Sequence, residues 1–195
     1  QLRFDSFSGD SDFKRRLGGI APAGKVPVLT DGDFAVWDTL AIAEYVAEKF
    51  PDLHLWPRDV RARARARSIV AEMHSGFGAL RRACGMNTEA RGTEAGAIIW
   101  RDNAGVRADV GRLTAMWQEL LAEHGGPMLF GEFGIADAYF TPVMMRFRTY
   151  ALPVPAVITA YMDRVCALPG VAAWIDAALA EHDFIPFEEP YRAVR

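Results

Sequence analysis

The chain has 195 residues, 51% of them hydrophobic, which is enough to bury a core as one large domain or two small ones. Its formal net charge of −3 argues against nucleic acid or an anionic membrane surface as the main partner. No apolar run approaches the roughly 18 residues that a membrane span needs. Cys84 and Cys166 are far apart and lack metal-binding or redox spacing, so we expect a reducing compartment, the cytoplasm, and no metal site.

Short strands and helices alternate in the first quarter of the chain. QLRFD predicts a strand fragment, and SGDSDFKRRLGG predicts a short helix with a Ser or Asp cap and two glycines after it. VPVLT and FAVWD predict a hairpin, because Asp-Gly between apolar runs favours a tight turn. TLAIAEYVAEKF has helical periodicity and ends at Pro51.

The sequence after the proline-containing linker PDLHLWPRD carries almost no strand signal. Helical patterns cover residues 57–84, 104–123, 134–151, 155–167 and 170–181. We therefore predict an α/β domain at residues 1–50 and an all-α domain at residues 57–195.

The stretch GKVPVLTDGDFAVWDTLAIAEYV places a proline, Pro27, at the first residue of a predicted strand. A trans proline at a strand edge is the common case, since only about 5–6% of X–Pro bonds in folded proteins are cis. A cis bond would instead turn the backbone of Val26 away from its own sheet, so that its N–H and C=O could pair with an extended peptide. The sequence alone leaves both possibilities open.

Asp38 and Thr39 stand where the next helix begins. Free N–H groups and the positive end of the helix dipole attract an anion there, and a threonine hydroxyl can add a further hydrogen bond to a carboxylate. Asp38 could pair with an ammonium group, so the two residues suit the zwitterionic end of an amino acid. The alternative is that Asp38 only caps its own helix.

The order GKVPVL, DGD, VWDTLAIAEYV and FP resembles the thioredoxin-type domain of the cytosolic glutathione transferases. The resemblance implies that Pro27 is cis and that Val26 pairs through its backbone with the cysteinyl part of glutathione. It also implies that Lys25 lies near the peptide and that Asp38 and Thr39 bind the γ-glutamyl end. The family usually has Glu or Asp followed by Ser here, and Thr39 keeps the hydroxyl while adding a methyl group.

A second match, GEFGIADAYFTPVMMRF, resembles the family's signature at the start of its sixth helix. Gly134 would be the N-cap, and Asp137 would reach back to the backbone of the cap, which predicts a structural role for this acid. ARSIVAEMHSGFGALRRACGMN and RFRTYAL resemble a bacterial branch that is zeta-like in its N-terminal half. The resemblance therefore covers nearly all of the chain.

The residue that activates the thiol has no counterpart in this sequence. In the family it is a Ser, Tyr or Cys at the start of the first helix, and that helix and the first strand precede the parts recognised here. We therefore expect that the chain is N-terminally truncated, and the catalytic residue stays unknown. Cys84, at a helix end, and Cys166, after an apolar stretch, are predicted to be packed thiols rather than nucleophiles.

The resemblance places the electrophile between the two domains, against the fourth helix. Candidate residues for this acceptor pocket are Met73, His74 and Phe77 on that helix and Arg146 on the sixth. Met73 and Phe77 are one turn apart and could share a helix face. The alternatives are core packing for these two, a structural His74 and a solvated Arg146.

The implied fold is thioredoxin-like followed by all-α, and the implied function is a transferase that conjugates glutathione, its co-substrate, to a small electrophile in detoxification. The family also implies a homodimer. The zeta-like part leaves glutathione-dependent cis–trans isomerisation of an unsaturated acid as an alternative. A non-catalytic protein of the same fold that binds glutathione or other ligands is another, whereas the missing Cys-x-x-Cys disfavours a disulfide enzyme.

Overall fold

The computed structural model describes residues 11–182 and Tyr191. The chain divides into two compact units, Gln1–Leu55 and Trp56–Arg195. The strand predicted at QLRFD lies outside the described residues.

The first unit contains the short helix, the hairpin and the second helix that the sequence predicts. Ser11 caps the first helix by accepting a hydrogen bond from the N–H of Lys14 at 3.3 Å. The elements are α1 (Asp12–Gly18), β1 (Val28–Asp31), β2 (Phe34–Trp37), α2 (Thr39–Lys49) and a 3₁₀ turn (Pro51–Leu53).

The two strands form an antiparallel hairpin whose register runs from Val28 opposite Trp37 to Asp31 opposite Phe34. Its two-residue loop begins with Gly32, whose φ of +62° favours glycine. The register places the residues before β1 and those after β2 at the same end of the hairpin, away from the loop. The predicted ligand-binding residues belong to these two segments.

A small apolar cluster supports the hairpin from α1. Phe13 and Leu17 lie one turn apart on this helix and are buried with Ala21, and Val28 of β1 packs against them. The cluster fixes the start of β1, which lies next to Pro27.

The second unit is helical, with seven helices among its described residues. Helix α6 begins and ends where the sequence predicts, and the predicted helices at 134–151, 155–167 and 170–181 are confirmed to within two residues. The helices are α3 (Val60–Ser75), α4 (Gly78–Ala83), α5 (Thr93–Asp102), α6 (Ala104–Glu123), α7 (Ile135–Thr149), α8 (Ala156–Ala167) and α9 (Pro169–Glu181).

The single helix predicted over residues 57–84 is wrong, because the chain breaks between α3 and α4. Gly76 is extended, with φ −104° and ψ −164°, and Phe77 adopts the left-handed conformation at φ +55°. A Cβ atom at position 76 would lie 2.6 Å from the carbonyl oxygen of Glu72, so the break requires glycine.

Helix α5 has no counterpart among the predicted elements. It starts after Gly92, whose N–H donates to the carbonyl of Thr149 at 2.8 Å. Gly96 allows the helix to approach the end of α7 closely, because a Cβ atom there would lie 1.8 Å from the carbonyl oxygen of Tyr150. Contacts that are distant in sequence therefore define this helix.

An aromatic cluster forms the centre of the helical unit. Trp117 of α6 is fully buried, and its ring contacts Phe140 at 5.3 Å, Tyr161 at 5.5 Å and Phe147 at 5.8 Å between centroids. These rings join α6, α7 and α8 through large apolar surfaces.

The capping role predicted for Asp137 is confirmed. The N–H of Gly134 donates to its Oδ2 at 3.0 Å, while the N–H of Leu129 and the hydroxyl of Tyr161 donate to its Oδ1 at 3.1 and 2.8 Å. The side chain is 1% exposed, and this burial raises its pKa although the three hydrogen bonds act to lower it. Asp137 therefore holds the start of α7 and does not take part in the candidate site.

None of the helices in the described part of the chain is alone long and apolar enough to cross a membrane. Only α8 and α9 taken together meet that test of length and composition, and they are bent by 82° at the break between them.

Candidate functional site

The start of α2 is built around Asp38. Asp38 is the N-cap, with φ +71°, and its Oδ1 accepts a hydrogen bond from the N–H of Leu40 at 2.9 Å. The residue is exposed, and the neighbouring Thr39 is half-buried. Asp38 therefore caps its own helix, as the alternative interpretation predicted.

The segment before β1 lies at the same end of the hairpin. The Val26–Pro27 peptide bond is cis, as the resemblance implies. Val26 is 61% exposed, and Lys25 and Pro27 are exposed as well. A peptide could therefore reach the backbone of Val26 from solvent.

The hairpin register brings these two segments together. Val28 pairs with Trp37, so Pro27 and Asp38 are each one residue beyond the last pair of the ladder. Paired Cα atoms in antiparallel strands lie about 5 Å apart. The exposed residue Val26 and a helix N-terminus with an acid and a hydroxyl consequently lie within the length of a short peptide.

A polar cluster that was not predicted lies at the loop end of the hairpin. The hydroxyl of Tyr45 donates to Oδ2 of Asp31 at 2.6 Å, and the ammonium group of Lys49 donates to the same oxygen. These contacts lower the pKa of Asp31, chiefly through Lys49, and raise the pKa values of Tyr45 and Lys49. The one-turn spacing of Tyr45 and Lys49 was the available sequence signal, but it did not identify their partner.

The acceptor candidates Met73 and His74 lie near the end of α3, where Met73 is half-buried and His74 is exposed. Phe77 lies outside α3 and is the residue in the left-handed conformation that precedes α4. The prediction that Met73 and Phe77 share a helix face is therefore wrong. Phe77 is 8% exposed.

Arg146 reaches two backbone carbonyls within the helical unit. Its Nε donates to the carbonyl of Cys84 at 2.9 Å, and its Nη1 donates to the carbonyl of Pro142 at 3.2 Å. These bonds tie the end of α4 to α7, which gives Arg146 a structural task.

Both cysteines are buried, as predicted for packed thiols. Cys84 is fully buried, and burial raises the pKa of its thiol to about 11. Burial also raises the pKa of Cys166, which is 8% exposed. Both thiols stay protonated near neutral pH, and this makes them poor nucleophiles.

Models of two protein domains match the chain. The model described as glutathione S-transferase, N-terminal domain, matches residues 3–49, and that described as glutathione S-transferase, C-terminal domain, matches residues 60–177. The second match alone covers more than half of the chain.

Individual relatives agree with these matches. Glutathione S-transferase Z1 of Arabidopsis thaliana is 32% identical over 171 residues, which cover 82% of this chain and 70% of the relative. A probable maleylacetoacetate isomerase of Caenorhabditis elegans is 32% identical over 154 residues, covering 74% of this chain and 67% of the relative. A glutathione transferase homologue from a Burkholderia species, solved with bound glutathione, is 26% identical with a TM-score of 0.59 and covers 82% of this chain and 76% of that one.

These matches confirm the predicted fold class, a thioredoxin-like α/β part followed by an all-α part, and the predicted transferase function with glutathione as co-substrate. The chain belongs to the glutathione S-transferase family.

Proposed function

We propose that this chain binds glutathione at the open end of the β1–β2 hairpin, through Lys25, Val26, Pro27, Asp38 and Thr39, and joins its sulfur to a small electrophile. The observation that carries the proposal is the hairpin register, which brings the exposed residue Val26 beside the N-terminus of α2.

The γ-glutamyl end of glutathione is an amino acid zwitterion, and the helix start suits both of its charges. The carboxylate accepts hydrogen bonds from the first N–H groups of α2 and from the hydroxyl of Thr39. The ammonium donates to the carboxylate of Asp38, which has enough lone pairs to accept this bond and that from Leu40 together.

The cysteinyl part of glutathione is an extended peptide, and it would pair with the backbone N–H and C=O of Val26. Such pairing adds a short strand to the segment before β1 and fixes the direction of the bound peptide. The positive charge of Lys25 complements the anionic ligand from the same side.

In the reaction, the thiol of glutathione gives its proton to a base, and the thiolate sulfur adds to an electrophilic carbon of an unsaturated acceptor. The π electron pair of that carbon moves to the neighbouring atom, which then takes up a proton. We assign the activation of the thiol to no described residue, because both cysteines are buried with raised pKa values and Asp137 serves as a cap. For the acceptor we propose contacts from Met73 and His74, with Phe77 and Arg146 shaping the surrounding backbone.

A second candidate function is cis–trans isomerisation of an unsaturated acid. It is favoured by one relative, the probable maleylacetoacetate isomerase of Caenorhabditis elegans. In this reaction the thiolate adds to one carbon of the double bond, the resulting single bond rotates, and the thiolate is expelled. A thiol titration during turnover separates the two functions, since conjugation consumes free glutathione and isomerisation leaves its concentration unchanged.

Calorimetric titration of glutathione into the chain and into Thr39→Ala tests the proposed site. The loss of one hydrogen bond to a charged group should weaken binding about tenfold. Thr93→Ala is the matched control, because Thr93 is likewise the first residue of a helix, α5, and its side chain is exposed. This variant should leave the affinity for glutathione unchanged. Equal affinities for the chain and Thr39→Ala would contradict the site.

The proposal extends to a homodimer that acts in detoxification in the cytoplasm, which the family resemblance supports. Light scattering during size exclusion should then give twice the chain mass of 21.5 kDa. A mass of one chain at micromolar concentration would contradict the proposed dimer. It would not affect the proposal that glutathione binds at the open end of the hairpin.

A further inference from the structure

Asp31, the last residue of β1, joins the loop end of the hairpin to the far half of α2. The Tyr45 hydroxyl lies 2.6 Å from its Oδ2, and Lys49 donates to the same oxygen from one turn further along the helix. The Lys49 ammonium also lies 5.8 Å from the centre of the Tyr45 ring. The carboxylate of Asp31 thus contacts side chains from two successive turns of α2.

The other contacts of this half of α2 come from half-buried side chains such as those of Val46 and Ala47. None of the 11 residues of α2, all of which the structure describes, is fully buried. The ring of Phe34 contacts Tyr45 at 5.8 Å between centroids, but Phe34 is itself 55% exposed. The polar cluster of Asp31, Tyr45 and Lys49 therefore adds a hydrogen-bonded link between the helix and the hairpin to this partial packing.

The other end of α2 is attached through a single-residue turn. Strand β2 ends at Trp37 and α2 begins at Thr39, so Asp38 alone makes the turn. A helix of 11 residues is about 16 Å long, since each residue adds about 1.5 Å. A helix of this length that is joined to its strand by one residue needs further contacts along its length to fix its direction.

We infer that Asp31, through Tyr45 and Lys49, is a positioning residue for the glutathione site. By holding the C-terminal half of α2 it sets the helix axis, and the axis determines where the N–H groups beyond Asp38 point. The cluster would act on the γ-glutamyl carboxylate without touching it. The inference rests on the proposed function, because it assumes that glutathione binds at the start of α2.

The first test compares glutathione binding by Asp31→Ala and Lys49→Ala with binding by the unchanged chain. Affinities are measured at a temperature at which circular dichroism shows every variant to be folded. We expect each variant to bind glutathione about fivefold more weakly. Asp12→Ala is the control for Asp31→Ala, since Asp12 forms an exposed ion pair with Arg16 in α1 and its removal changes the net charge by the same amount.

A double-mutant cycle with Thr39→Ala separates positioning from a general structural effect. If Asp31 acts through the start of α2, Asp31→Ala should weaken binding much less in the Thr39→Ala background. A double variant that combines Asp31→Lys with Lys49→Asp exchanges the two charges. It should regain most of the affinity for glutathione that either single substitution removes. If Asp31→Ala does not fold, Lys49→Ala and the charge exchange test the same link.

Wild-type affinity in both single variants would overturn the positioning role, as would additive effects in the cycle. These results would leave the proposed function intact, because Thr39→Ala would still weaken binding. Absence of glutathione binding by the unchanged chain would overturn the proposed function and the positioning role with it.

Discussion

Asp38 has two tasks in the proposed site, and its two carboxylate oxygens allow them to be separated. Oδ1 caps α2 through the N–H of Leu40, while the negative charge attracts the ligand's ammonium group. Asp38→Asn retains a capping oxygen and tolerates the φ of +71°, so the stability should change little. Glutathione binding should weaken about tenfold, because the hydrogen bond to the ammonium loses its charge assistance.

Asp38→Ala is the companion variant, and it should lose both tasks. Removal of the cap should lower the free energy of unfolding by about 1 kcal/mol, measured by urea denaturation, in addition to the loss of affinity. An Asp38→Asn variant that binds glutathione like the unchanged chain would show that Asp38 is only a cap.

Asp137 is predicted to be important for stability and irrelevant to the chemistry. Its two oxygens accept three hydrogen bonds inside the helical unit, and Asp137→Asn would place an NH₂ group against at least one of these donors. The free energy of unfolding should fall by about 3 kcal/mol, since buried polar groups would lose their partners. The affinity of the folded fraction for glutathione should not change.

The raised pKa of Asp137 gives a pH dependence with a definite sign. Burial makes the folded protein bind this proton more tightly than the unfolded chain does. The resulting stabilisation is complete below the ordinary pKa of an aspartate and is lost as the pH rises through the raised pKa. Urea denaturation across this range should show the loss in the unchanged chain and a flatter profile in Asp137→Asn.

At the scale of elements, two glycines should respond to alanine in opposite directions. Gly76 ends α3, and a Cβ atom there would lie 2.6 Å from the carbonyl oxygen of Glu72, so Gly76→Ala should destabilise by about 1–3 kcal/mol. Gly111 lies inside α6 with nothing within 4 Å of a Cβ atom, so Gly111→Ala should stabilise by about 0.5–1 kcal/mol. Thermal unfolding of the two variants checks the signs, and a stabilising Gly76→Ala would contradict the described break.

The elements that the sequence predicted well are those specified by local patterns. Helix α6 has an apolar stripe along its whole length, and the hairpin follows from Asp-Gly between two apolar runs. The break after α3 depends on the left-handed Phe77, and α5 depends on the close approach of Gly96 to Tyr150. Tertiary contacts determine both, so a periodic pattern could not show them.

The candidate site likewise contains residues that short sequence motifs identify and residues that only the tertiary structure identifies. The resemblance supplied Val26, Pro27, Asp38 and Thr39 because short motifs carry them, and the structure places them at one end of the hairpin. The link from Asp31 to Tyr45 and Lys49 joins residues 14 and 18 positions apart and depends on how α2 lies on the hairpin. Sequence periodicity contains no information about that packing.

At the scale of the whole molecule, glutathione should stabilise the chain by mass action. A ligand that binds only the folded protein adds about 2.7 kcal/mol at 100 times its dissociation constant. For a chain of this size that corresponds to a rise in Tm of roughly 5–10 °C. Thr39→Ala should show a smaller rise at the same concentration, whereas equal shifts would indicate binding elsewhere.

The central claim is that glutathione binds at the open end of the hairpin, and the backbone amide spectrum of the ¹⁵N-labelled chain tests it most directly. Even a dimer of twice the chain mass of 21.5 kDa is small enough for the amide signals of the deuterated chain to be followed during a glutathione titration. The account predicts that the largest shifts occur at Val26, Thr39 and Leu40, and that amides around Trp117 in the helical core do not move. Shifts confined to residues of the helical unit, or none at saturating glutathione, would contradict the claim.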